Sequence, residues 1–199
     1  MKTTALAVAS VFLIAACGTV PAEDQTQTSY AVGELAKLDV RPEDSGAHYN
    51  RDEWGDWTTE DGCTTRERVL IRDGIGTRHR STDCRITAGT WESIYDGAVI
   101  TDPRDVDIDH VVPVAEANQS GARDWTVEQR RGFYNDMDNL VAVSGTSNRR
   151  KSDQDPATWL PQMSARCWYA ARYVDVKYKY FLTIDQREYD ALAGVLRGC

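Results

Sequence analysis

Over residues 105–113 the chain reads D-V-D-I-D-H-V-V-P, with Val106, Ile108 and Val111 alternating with Asp105, Asp107 and Asp109 until Pro113. A period of two predicts a strand with one buried face, ended by the proline. Asp107 and Asp109 then leave one side of that strand, and His110 leaves the other. Leu140–Val143 is a short apolar run that predicts a second strand. Thr126–Asn135 opens with T-V-E-Q, a capping-box pattern, and predicts a helix. Within Ala165–Leu182, Trp168, Ala171, Val174, Tyr178 and Phe181 recur at helical spacing, and a last helix is expected over Asp185–Leu196. Upstream, Arg66–Arg72 and Cys84–Trp91 predict short strands joined by a turn around Gly74 and Gly76. The mixture predicts an α+β domain with its β-rich part first and its helices last.

The N-terminus follows a different pattern. Lys2, the apolar run Ala5–Ala16 and Cys17 make a secretion leader too short to span a bilayer. L-I-A-A-C-G (Leu13–Gly18) resembles a bacterial lipobox, which implies a diacylated Cys17 at the mature N-terminus; the plainer reading is an ordinary leader with an incidental cysteine. Residues 1–17 are therefore expected to be the leader, and the protein exported, either anchored to a membrane or extracellular. Residues 18–46 are rich in Thr, Gln, Ser, Pro and acidic residues with little apolar periodicity, and they predict a disordered tether. Residues 47–199 are left for one domain, long enough to bury a core of ordinary size.

Without Cys17, four cysteines remain, an even number in an exported chain. Four allow three pairings; Cys63 with Cys84 and Cys167 with Cys199 is the expected one, the first stapling the early β region and the second tying the C-terminus to the helix that starts near Ser164. No Cys-x-x-Cys pair or nearby histidine supports a zinc site. His48 and His79 belong to no motif, and the six tryptophans are expected to fill core more than to stack bases.

The chemistry concentrates between residues 105 and 156. A carboxylate beside a histidine, Asp109–His110, offers a hard oxygen ligand and a base that titrates near neutral pH. Such a pair alone is common as a surface hydrogen bond. Here it is followed by D-N-L-V-A-V, with Asn139, and by S-N-R-R-K-S-D-Q-D-P, with Asn148. This ordered set resembles the HNH endonucleases of the ββα-metal (His-Me finger) superfamily. Residues 107–156 resemble the HNH domain of the RNA-guided CRISPR effector. From about residue 49 to Cys199 the chain resembles secreted bacterial HNH nucleases related to the C-terminal nuclease domain of GmrSD-type restriction enzymes, including F-x-N-D (Phe133–Asp136) and W-L-P (Trp159–Pro161). It departs from that pattern at N-Q-S-G-A-R-D-W (Asn118–Trp125), where the tryptophan expected before S-G-A is missing.

The resemblance implies a ββα-metal core and a short helix over Thr146–Lys151 that returns Asn148 to the site. It implies one divalent metal, Mg²⁺ or Mn²⁺, held by Asp109 and Asn148; His110 as general base; and Asn139 bonded to the backbone after the first strand. Lys151, three residues after Asn148, is expected to meet the phosphate or the leaving oxygen, with Arg149 and Arg150 as further substrate contacts. Asp107 is either a carboxylate supporting the ligands or a solvated strand residue. The implied partner is nucleic acid, DNA before RNA and without sequence specificity, cut by a monomer. The net charge of −8 is unusual for a nucleic-acid binder, but Arg130, Arg131, Arg149, Arg150 and Lys151 against Asp136 and Asp138 leave +3 between residues 130 and 151. Two other classes fit less well: a non-catalytic nucleic-acid-binding lipoprotein, and a metal-dependent phosphodiesterase of small substrates.

Overall fold

The computed structural model describes residues 22–44, 48–80 and 82–199. The leader and the lipobox around Cys17 lie outside the described residues. Helix α1 (Ala22–Leu35) is followed by a 3-10 turn, Arg51–Trp54, and the two-residue strands β1 (Thr59–Glu60) and β2 (Cys63–Thr64). Helix α2 (Thr65–Asp73) leads into a three-stranded antiparallel sheet of β3 (Ile75–His79), β4 (Ile86–Glu92) and β5 (Val99–Ile100). Strand β6 (Val106–His110) pairs antiparallel with β7 (Leu140–Ser144), in a register that sets Asp107 opposite Val143 and Asp109 opposite Val141. The excursion between them carries α3 (Val114–Gln119) and α4 (Val127–Tyr134). Helix α5 (Gly145–Lys151) follows β7 directly, and α6 (Arg166–Lys179) and α7 (Gln186–Leu196) complete the α+β fold.

Two of the expectations are overturned. Arg66–Arg72 is helical, because Thr64 and Glu67 form a capping box: the Thr64 hydroxyl accepts from the Glu67 N–H, and the Glu67 carboxylate accepts from the Thr64 N–H at 2.8 Å. The tether expected over residues 18–46 does not hold for residues 22–44. Ala31 and Leu35, one turn apart on α1, and Leu38 in the turn after it are buried in the main core, and α1 packs on α6 and α7. The segment after α1 is fastened as well, by Arg41 N–H to Ile184 O at 2.9 Å and by an Arg123–Asp44 ion pair. The domain therefore begins before residue 47. Cys63 is joined to Cys84 and Cys167 to Cys199, with Cα atoms 5.0 and 5.7 Å apart.

One buried charge cluster contributes to the pH dependence of stability. Lys177 on α6 donates to Glu116 at 2.7 Å, Glu188 at 2.6 Å, Ser120 Oγ at 3.1 Å and Thr183 O at 3.0 Å, with the Tyr173 ring beside it. Two carboxylates share one ammonium. Burial first, and then the Glu116 charge, push the Glu188 carboxyl up to about 7, against the pull of Lys177. The folded chain thus keeps a proton on Glu188 between pH 4.5 and about 7 that the unfolded chain has lost, and stability falls as pH rises through that window. Glu188→Gln should remove a pH-dependent term of about 3 kcal/mol. The buried His110 acts in the opposite sense below pH 6.5. The readout is therefore the difference between wild-type and variant denaturation midpoints from pH 5 to 8, and a difference that does not vary with pH would overturn the assignment.

Candidate active site

Helix α5 lies along β6 so that two positions three apart on the helix meet two positions two apart on the strand. Ser144 caps the helix, its Oγ accepting from the Ser147 N–H at 3.0 Å. The approach is close: a Cβ on Gly145 would lie 3.3 Å from Asp107 Oδ2 and 2.9 Å from an Arg149 guanidinium nitrogen. In the first pair Asn148 Nδ2 donates to Asp107 Oδ2 at 3.1 Å. A carboxylate only accepts, so the amide nitrogen must face Asp107, and this turns the Asn148 oxygen away from it. In the second pair Lys151 Nζ lies 2.9 Å from Asp109 Oδ2 and donates to His110 O at 2.8 Å. Tyr95, buried within the β4–β5 connection, adds an O–H donor to the same Asp109 oxygen at 2.8 Å. Burial holds the Asp109 carboxyl above the usual carboxylate range, although Lys151 and Tyr95 pull it down.

His110 leaves the other face of β6. Its ring stacks on Trp57, 5.9 Å between centroids and 14° between planes, and on Phe133 at 6.3 Å and 4°. Nε2 lies 2.8 Å from Tyr134 O. A carbonyl cannot donate, so Nε2 carries the proton and Nδ1 keeps its lone pair. Burial is the largest influence and drives the imidazole pKa down to about 3, with the Arg51 and Lys151 charges adding to it and the Tyr134 hydrogen bond opposing. The ring is neutral at physiological pH.

The loop after β6 is pinned by Asn139, which is fully buried. Its Oδ1 accepts from Val112 N–H at 2.8 Å, its Nδ2 donates to Val112 O at 3.2 Å, and its main-chain O accepts from Val111 N–H at 2.8 Å. Asp109, His110 and Asn148 line one cleft of about 200 Å³, together with Arg51, Arg149 and Asp153. Asp109 Oδ1 and the Asn148 oxygen are hard donors suited to Mg²⁺ or Mn²⁺, and the cleft leaves room for water and phosphate oxygens to complete a shell. Larger depressions lie elsewhere, but the one between β4 and the 101–104 turn brings no carboxylate–histidine pair together.

The basic residues sort differently from the expectation. Lys151 is 0% exposed and committed to Asp109 and His110 O, so it does not meet substrate; the correction follows from the cost of leaving Asp109 buried without a counter-charge. Arg149 is exposed and lines the cleft. Arg150 is exposed on the Asp96 side, where, after hydrogen bonds from Ser144 and Ser93, its charge helps hold that exposed carboxyl below its usual range. Arg130 is paired with Glu53 at 2.7 Å. Asp107 takes the supporting position on Asn148. Sequence reading passed over Tyr95, Tyr134 and Arg51; of these only Tyr134 sits inside a quoted motif, as the variable position of F-x-N-D.

An antiparallel strand pair and a following helix that deliver a carboxylate, a histidine and an amide to one cleft define the HNH class of nuclease domains. The model of a family described as GmrSD restriction endonucleases, C-terminal domain, matches residues 64–195, and the chain belongs to that family. An uncharacterized secreted protein of Arthroderma benhamiae is 42% identical over 205 residues, an alignment that takes in 100% of each chain. No solved structure matches. Among the described residues no helix is long and apolar enough to cross a membrane.

Proposed function

We propose that the protein is a divalent-metal-dependent endonuclease that hydrolyses phosphodiester bonds of DNA, and of RNA by the same chemistry, with little sequence specificity. The observation that carries this reading is the convergence of Asp109, Asn148 and a neutral His110, fixed with Nδ1 as its free nitrogen, on one cleft. A divalent ion held by Asp109 and Asn148 supplies positive charge to the phosphate oxygens and to the departing alkoxide. Asp107 turns the Asn148 oxygen away from itself, and Tyr95 and Lys151 fix the Asp109 carboxylate through Oδ2, so the Asn148 oxygen and Asp109 Oδ1 would be the atoms to hold the ion. His110 Nδ1 takes the proton of the attacking water as its oxygen bonds to phosphorus and the P–O bond to the leaving oxygen breaks. Asn139 holds the Val111–Val112 backbone and thereby the in-line position of the ring.

The net acidity of the chain, with positive charge gathered near the cleft, supports weak recognition through phosphates. Export is supported by the leader pattern, by two disulfides and by the similarity to a secreted Arthroderma protein. Acylation of Cys17 is the finer part of this proposal, and mass spectrometry of the mature N-terminus decides it. The main experiment presents supercoiled plasmid, single-stranded DNA, RNA and bis(p-nitrophenyl) phosphate to the disulfide-intact protein, with Mg²⁺ or Mn²⁺ and with excess EDTA. Cleavage of the polymers that stops in EDTA is expected. Full cleavage in EDTA, or hydrolysis of the small diester alone, would sink the reading.

A further inference from the structure

The cleft needs a cation for the phosphate, and the residue that the motif offers for it is taken. Lys151 is sealed between Asp109 and the His110 carbonyl. Among the described residues, the basic side chains that do line the cleft are Arg149 and Arg51. Arg51 comes from the strap before β1, outside the residues matched by the family model. The strap is anchored one turn further on by Trp54, which is buried against Trp125 and Phe133, and by the pairing of Glu53 with Arg130.

Arg51 is held without being neutralised. Its guanidinium donates to Tyr134 Oη at 3.1 Å and lies 5.4 Å from the centre of the Tyr134 ring. No carboxylate among the described residues is within ion-pair distance of it. The same Tyr134 accepts His110 Nε2 with its main-chain oxygen, and its ring centroid is 4.8 Å from that of the imidazole. One residue thus sets the base with its backbone and an unpaired guanidinium with its side chain, both at the same cleft. A guanidinium presented in this way, planar, weakly hydrated and with free N–H groups, suits a tetrahedral phosphate oxygen.

Resting on the proposed nuclease reading, we propose that Arg51 is a catalytic residue of this site: it donates to a non-bridging oxygen of the scissile phosphodiester beside His110 and stabilises the charge that builds there during attack. No bond to Arg51 forms or breaks, and its proton stays in place. The role is one that the 105–156 motif does not contain, supplied by the N-terminal strap.

The test compares wild type, Arg51→Ala and Arg51→Lys in the full mature chain with both disulfides intact. It measures single-turnover plasmid nicking, calorimetric Mn²⁺ affinity and melting temperature. Arg51→Ala is expected to cut about 100-fold more slowly, with Mn²⁺ affinity and melting temperature close to wild type. Arg51→Lys should recover part of the rate, and guanidinium ion added to Arg51→Ala below denaturing concentration should recover more, an effect that a purely structural arginine would not give. Wild-type nicking by Arg51→Ala in a protein whose cleavage needs metal and His110 would overturn the clamp and leave the nuclease reading standing. A slow Arg51→Ala that has also lost its melting temperature, with no recovery in Arg51→Lys or with guanidinium, would likewise overturn it. A wild-type protein that cuts no nucleic acid with metal would overturn the nuclease reading and the clamp with it.

Discussion

His110→Ala is expected to slow cleavage by about 100- to 10,000-fold while leaving Mn²⁺ affinity near that of wild type. The imidazole has one nitrogen on Tyr134 O and leaves the face of β6 opposite Asp109, and the proposed mechanism uses it as a base and not as a ligand. The ligand arm of the experiment needs a carefully chosen variant. Asp109→Ala would leave the Lys151 ammonium buried with no counter-charge, and a loss of metal binding would then be mixed with a loss of about 3–5 kcal/mol of stability. Asp109→Asn keeps one side-chain oxygen to accept from both Lys151 and Tyr95, so it unsettles the buried pair less than Asp109→Ala although the counter-charge is still lost. With an NH2 in place of Oδ1 it should weaken metal binding more than Asn148→Ala, which removes a neutral donor, and its melting temperature is measured alongside. Asn139→Ala should lower turnover with metal affinity unchanged. Calorimetric metal titration beside nicking rates orders the four. Loss of metal binding in His110→Ala as complete as in Asp109→Asn would make the imidazole a ligand and require another base.

The second large effect is expected at Lys151. Its ammonium is fully buried against Asp109, so Lys151→Met should cost about 3–5 kcal/mol, which for a domain of this size lowers the melting temperature by roughly 10 °C in metal-free buffer. The Asp109 charge left without a partner would then be met by a divalent ion, so Mn²⁺ should raise the melting temperature of Lys151→Met more than it raises that of wild type. If Lys151→Met melted like wild type and instead lost plasmid affinity with a shallower salt dependence, Lys151 would be a phosphate contact and the buried pair would be wrong.

The catalytic strand pair was legible because its signals are local. A period-two run ending in proline sets the faces of Asp107, Asp109 and His110, and a short apolar run sets β7. The capping box at Thr126 was read, while the equivalent one at Thr64 was not, because Val69, Leu70 and Ile71 on α2 have the composition of a strand. Helix α1 has Ala31 and Leu35, with Leu38 in the turn just beyond it, to mark a buried face among the described side chains, and their use depends on the surface that α6 and α7 offer. Lys151 shows the deeper limit. A lysine one helical turn after a ligand has the same spacing whether its ammonium turns outward to a phosphate or inward to a carboxylate, and only the packing of α5 on β6 decides. Tyr95 lies 14 residues before Asp109 and Arg51 lies 59 before His110, and no local pattern announces either of them.

Helix α1 also fixes how far the catalytic domain can stand from a lipid surface. Only residues 18–21 separate Cys17 from Ala22, the first residue of that docked helix. Fully extended, such a link reaches about 17 Å, whereas a tether running to residue 46 would have reached roughly 100 Å. An acylated form would therefore ride directly on the headgroups with little freedom to sample the surrounding solution. The whole chain carries −8, and loss of Lys2 with the leader would make the acylated form more acidic still, which would oppose contact with anionic lipid and favour an orientation that turns acidic surface outward. Nucleic acid would have to arrive at the bilayer to be cut, and a long polymer lying along the surface would meet the cleft more often than the same polymer dispersed in bulk.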